Sequence, residues 1–173
     1  MSKTQFVRYG TQGFWAYDVA LGIFLKHLID AAEVSDQAKS SWLSEAISGW
    51  RAVACISDYG LTLDAQWSAE RQQAFLTLAE DACSRLAKRS AIPAEEIVAW
   101  PLLDDLRMDS RGAAEVLTAP VVELGRAIIA LVSGELPEAP PGETWLYGTP
   151  VGRQTINGNS KRQRQLDRTS DSG

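Results

Sequence analysis

The chain has 173 residues, a formal net charge of −5 at pH 7, two cysteines and one histidine. That length fits one domain, and a body of residues 1–156 would bury roughly 70% of its unfolded surface, so a core needs no disulfide or metal. Two distant cysteines with one histidine cannot complete a structural zinc site, and any Ser-His-Asp scheme would depend on His27 alone.

Residues 1–8 lack the apolar centre of a signal peptide. A first helix is predicted over Gly13 to Ala32. Phe14, Tyr17, Leu21, Phe24, Leu25 and Leu28 keep the i, i+3, i+4, i+7 spacing, and the polar stripe is narrow enough to make this helix central. Asp18, Lys26 and His27 interrupt it too often for a membrane span. A second helix opens at Ser35 or Asp36, buries Leu43, Ala46, Ile47, Trp50, Val53 and Ala54, and stops near Asp58-Tyr59-Gly60. A third follows Asp64 or Ser68 and runs to about Arg89, with Phe75, Leu78, Ala79, Ala82, Cys83 and Leu86 as its core stripe. Cys55 and Cys83 both fall in apolar helical surroundings, as free thiols of a reducing compartment do.

Ile92-Pro93 opens a short helix ended by Pro101, and residues 101–108 suit one or two further turns. Asp109 to Gly112 is a loop, and residues 113–117 fit helix or extended chain equally. Thr118 then caps a last helix that Gly134 closes. Beyond it the pattern changes: three prolines and two glycines between Gly134 and Gly142 cannot continue a helix. Trp145, Leu146, Tyr147, Val151 and Ile156 are nevertheless too apolar for a disordered tail. Residues 134–156 are therefore read as an extended aromatic strap. Residues 157–173 hold no aromatic side chain and one large aliphatic, Leu166, and are expected to be disordered. The predicted fold is all-α: a single-domain bundle of about five helices over residues 1–156, crossed by the strap and followed by the polar tail.

The tail carries Lys161, Arg162, Arg164 and Arg168 against Asp167 and Asp171. Removing those four basic and two acidic residues from the chain's 17 and 22 leaves 13 and 20 in the body, a net of −7. An acidic body repels phosphate backbones and attracts basic surfaces. Candidate chemistry is sparse. His27 has no Ser or Cys at i±3 or i±4. The Gly148–Thr155 stretch is one residue short of a phosphate loop and has Arg-Gln where that loop has Lys-Ser/Thr.

Asp104, Asp105 and Asp109 form an acidic cluster whose spacing does not match a calcium loop. Trp42, Trp50, Trp67 and Trp100 are read as packing residues. Trp145 and Tyr147, with Arg153 beside them, stand on an irregular segment where aromatic and arginine side chains anchor interfaces. The leading expectation is a cytoplasmic, non-enzymatic protein without cofactor, metal, nucleic acid or membrane. It binds a protein with a basic surface through Asp104, Asp105, Asp109, Trp145, Tyr147 and Arg153, as an inhibitor or immunity-type antagonist does. Two alternatives are a ligand-binding domain with a Trp-lined pocket under Trp145 and Tyr147, and an enzyme using a desolvated Asp18 or Glu45.

Overall fold

A β-hairpin opens the fold in the computed structural model, which describes residues 4–56 and 60–157. Strand β1 (Thr4–Tyr9) pairs antiparallel with β2 (Gln12–Tyr17). Tyr9 opposite Gln12 leaves a two-residue loop, and Gly10 takes a φ of 60°, the left-handed conformation that primed hairpin turns require at this position. Helix α1 (Asp18–Glu33) follows directly, then α2 (Ser41–Cys55), β3 (Leu61–Leu63), α3 (Ala69–Ala87), β4 (Ala91–Pro93), α4 (Ala94–Ala99), β5 (Glu115–Leu117), α5 (Thr118–Ser133), β6 (Glu143–Tyr147) and β7 (Gln154–Asn157).

The architecture is mixed α/β, and the all-α bundle expected from the sequence is overturned. Five strands form one sheet in the order β3-β1-β2-β6-β7, with β1–β3 and β2–β6 parallel and the other two pairs antiparallel. β4 and β5 make a separate antiparallel ribbon. The predicted strap is the β6–β7 hairpin, and it extends the sheet from the open side of β2. Asn157, assigned to the tail, closes β7. The rest of that tail, residues 158–173, lies outside the described residues.

The physical reason for the difference lies in β2. A half-buried strand alternates apolar and polar residues, but Phe14 and Ala16 join the main core while Trp15 packs on the opposite face against Phe6 and Leu146. Both faces are buried, so Phe14-Trp15-Ala16-Tyr17 reads as a continuous apolar run that merges with Val19-Ala20-Leu21. No glycine or proline marks the junction, and a continuous run has no period to tell strand from helix. α1 therefore starts at Asp18, five residues later than predicted. α2 ends at Cys55, with Ile56 already extended, and Ser57–Tyr59 lie outside the described residues. Residues 101–108 are not helical either. A tight turn joins Leu103 to Leu106, with Asp104 at φ 43°.

α1 does take the central place its apolar wheel predicts, packing against α2, α3 and α5. Twelve of its sixteen residues are buried, Asp18 among them. α5 and α1 lie on the inner sheet face, which presents Val7, Phe14, Ala16, Leu61, Leu63 and Tyr147. The outer face carries a smaller cluster of Phe6, Trp15, Leu146 and Ile156, with Phe6 and Trp15 edge to face at 5.1 Å. Gly134 ends α5 with φ 73°, as expected of a C′ glycine. No helix of the described residues is long and apolar enough to cross a membrane.

Candidate functional site: a tryptophan groove between α2 and β3

α2 presents two apolar stripes. Leu43, Ile47, Trp50 and Val53 are buried. The adjoining stripe, Trp42, Glu45, Ala46, Gly49, Trp50 and Val53, repeats every three or four residues. It turns towards β3 and the start of α3, where Leu61, Leu63, Asp64, Trp67 and Arg71 complete a groove of about 340 Å³. Its floor is low because Ala46 and Gly49 lie between the large side chains. A Cβ added at Gly49 would meet no atom within 4 Å. A glycine inside a helix costs roughly 1 kcal/mol relative to alanine, and no packing constraint requires one here. The other helical glycines differ: a Cβ at Gly22 would strike Met108, and one at Gly125 would strike Cys83 and Phe24.

The walls are aromatic and mutually braced. Trp42 and Trp67 meet edge to face, with centroids 5.7 Å apart and planes at 70°. Behind them the fully buried Phe75 of α3 lies 5.2 Å from Trp67 and 6.0 Å from Trp50. Charge sits on the rim. Glu45 is exposed, and its carboxylate has no hydrogen bond or ion pair among the described residues. Asp64 accepts the Gln66 amide at 2.8 Å through Oδ1, an Asx turn that shapes the entry to α3. The Arg71 guanidinium lies 5.8 Å from the Trp42 centroid.

None of the six partner-binding residues read from the sequence lines this groove. Asp104 and Asp105 are exposed on the turn after α4, where Arg107 Nη1 donates to the Asp104 and Leu106 carbonyls. Asp109 accepts the Arg111 amide at 2.8 Å and so serves its own loop. Tyr147 is buried in the main core, edge to face with Phe14 at 4.9 Å. Trp145 is half-buried. Its Nε1 donates to the Pro137 carbonyl at 2.8 Å, and Arg153 stacks on its ring at 4.2 Å. Trp145 thereby ties the proline-rich segment to β6, and neither it nor Tyr147 covers the groove. Of the two carboxylates considered for catalysis, Asp18 is held by Arg111 through Nε and Nη2, and Glu45 stands on the groove rim.

Burial shifts both cysteines and the one histidine towards their neutral forms. Burial pushes the Cys83 thiol up to about 11 and raises that of Cys55 as well, whereas an attacking cysteine needs a lowered pKa. His27 is half-buried on α1, with Nδ1 2.8 Å from the Ile23 carbonyl oxygen and its ring edge to face with Trp100 at 5.8 Å. Burial lowers its pKa from the ordinary 6.5, with Lys26 and Arg89 acting in the same direction and the Ile23 carbonyl and Asp30 opposing them. The native state thus prefers neutral His27, and the unfolded chain binds the extra proton. The resulting stabilisation is fully present above pH 6.5 and is lost as pH falls through the lower native value. Urea titrations between pH 5 and 8 should show wild-type stability declining from about pH 6.5 downwards relative to His27→Gln. Parallel curves would remove His27 as the cause. The test is clean because the chain has no other histidine.

No protein-family model, curated protein or solved structure matches this chain.

Proposed function

We propose that the protein is a non-catalytic interaction domain of the cytoplasm that binds a protein partner with a basic surface through the α2–β3 groove. The observation that carries this reading is the combination on one surface of three tryptophans, a Glu45 with no ion pair among the described residues and a recess lined by Gly49. Tryptophans in a partly desolvated recess are the type of side chain that dominates binding energy at interfaces. The −7 of residues 1–156 supplies attraction at longer range. Asp104 and Asp105, exposed on their turn, add to that field and need not touch the partner. A second reading, a small cationic metabolite in the same groove, is favoured by the cavity's volume, near the lower end of the ~300–1,000 Å³ range of ligand pockets.

The test uses a variant that blocks the groove without weakening the helix. Gly49→Leu adds a bulky side chain to the groove lining, where a Cβ meets no atom within 4 Å, and raises helix propensity by roughly 0.8 kcal/mol, so loss of binding with helical circular dichroism unchanged cannot be assigned to unfolding. Tagged protein is used to capture partners from host lysate at low and moderate salt, and the eluate is identified by mass spectrometry. A stoichiometric basic protein should elute from the wild type, salt-sensitively, and fall at least tenfold with Gly49→Leu. Equal capture by Gly49→Leu would sink the groove as the contact. Metabolite retention in place of a protein would select the second reading.

A further inference from the structure

We propose that the corner formed by Trp42 and Trp67 is a receptor for a single arginine side chain of the partner, and that Arg71 is a built-in cation which that arginine displaces. The inference rests on the groove being the binding surface and specifies what enters it.

Two indole planes at 70° with centroids 5.7 Å apart make a concave π-rich angle. A cation placed there meets the negative face of one ring, with the second ring standing beside it. The chain already sets one cation over one of these rings, since Arg71 lies over Trp42. Its distance of 5.8 Å is near the ~6 Å limit for a useful cation–π contact, and much looser than the 4.2 Å stack of Arg153 on Trp145. Arg71 is exposed and has no carboxylate partner among the described residues. Lys26 over Trp100, by contrast, is also paired with Asp30.

Nor does Arg71 suit its place in the helix. It is the third residue of α3, where the positive end of the helix dipole disfavours a cation. Its position is therefore better explained by Trp42 than by helix stability. The chemistry also distinguishes guanidinium from its competitors. A planar, weakly hydrated guanidinium stacks on indole while its edge donates to a carboxylate, whereas an ammonium is compact and strongly hydrated. Glu45, three residues after Trp42 on the same helical face, offers the carboxylate. An apolar side chain would use the rings and leave Glu45 unanswered.

The experiment follows the tryptophan indole N–H resonances of the intact protein, assigned by single Trp→Phe variants. N-acetyl-arginine amide, N-acetyl-lysine amide and N-acetyl-leucine amide are titrated in turn. The arginine probe should shift the Trp42 and Trp67 resonances with millimolar saturation and leave Trp145 still. It should bind at least about fivefold tighter than the lysine probe, and the leucine probe should not saturate. Arg71→Ala should tighten the arginine probe several-fold by removing its competitor, while Glu45→Gln should weaken it by a similar factor. Equal binding of the leucine probe, still Trp42 and Trp67 signals, or weaker binding in Arg71→Ala would each overturn the proposal. Those results leave the groove reading standing if Gly49→Leu still abolishes capture, so the two failures are separable.

Discussion

Asp18→Ala is expected to destabilise the protein by about 3 kcal/mol, at the lower end of the ~3–5 kcal/mol range for removing one partner of a buried ion pair. The lower end applies because the Arg111 side chain keeps 19% of its exposure, against 7% for Asp18, so the orphaned guanidinium can recover some water. Two guanidinium nitrogens hold the carboxylate, with Nε donating to Oδ2 at 2.9 Å and Oδ1 at 3.2 Å and Nη2 donating to Oδ2, and the pair joins residues 93 positions apart. The second Asp18 function is local: its Oδ1 accepts the Val19 amide at 2.8 Å, in the first turn of α1, where a negative charge is favoured. On the other side, Arg111 is held at φ 54°, and Asp109 fixes its amide. A left-handed arginine costs roughly 1–2 kcal/mol, which this loop tolerates because the clamp on α1 holds it. Leu102 and Met108, both buried, reach the core from the same loop. Chemical denaturation of Asp18→Ala, Arg111→Ala and the double variant provides the check. The double variant should lose clearly less than the sum of the singles, because each single already breaks the pair. Strict additivity would show that the two side chains act independently.

The amphipathic helices were legible because their signals are local and repeated. Phe75, Leu78, Ala79, Ala82, Cys83 and Leu86 mark the buried face of α3, and Ser68 caps it through its hydroxyl, which accepts the Arg71 amide. The sheet was not legible, for two reasons. β3, β4 and β5 have three residues each, too few for alternation to register against a longer helical period. β2 is buried on both faces, so it loses the polar half of its pattern. The β6–β7 segment reads as extended from its prolines and aromatics, but nothing in Trp145-Leu146-Tyr147 says that it pairs with β2.

The groove itself was not legible. Trp42, Trp50 and Trp67 all read as packing residues, and what sets them around one recess is the parallel pairing of β3 with β1, which brings Leu61, Leu63 and Trp67 opposite α2. The sequence carries one signal of it: Gly49, an interior glycine of the predicted second helix, marks either a close contact or a surface kept low for something else.

Phe75→Ala is expected to cost about 3–5 kcal/mol, the usual range for emptying a fully buried phenylalanine site, and to weaken partner capture as well. The two effects share one cause. Phe75 is the core residue on which the groove walls rest, touching both Trp50 and Trp67. Trp67 is only half-buried, so without the ring behind it little fixes its angle to Trp42. Trp50 is itself buried and would lose contact on one face. Phe75→Leu separates the contributions. It retains much of the buried volume, so its stability loss should be well under that of alanine, but it supplies no ring to brace Trp67. Denaturant midpoints should therefore rank wild type, Phe75→Leu and Phe75→Ala in that order. Capture measured well below the unfolding midpoint should already drop in Phe75→Leu, with a red-shifted tryptophan emission as Trp67 becomes more exposed. Capture that simply tracks global stability would mean the groove walls stand without Phe75. A loss below about 1 kcal/mol for Phe75→Ala would mean that the tryptophans collapse into the gap, because the cost of a cavity depends on how far its lining can relax.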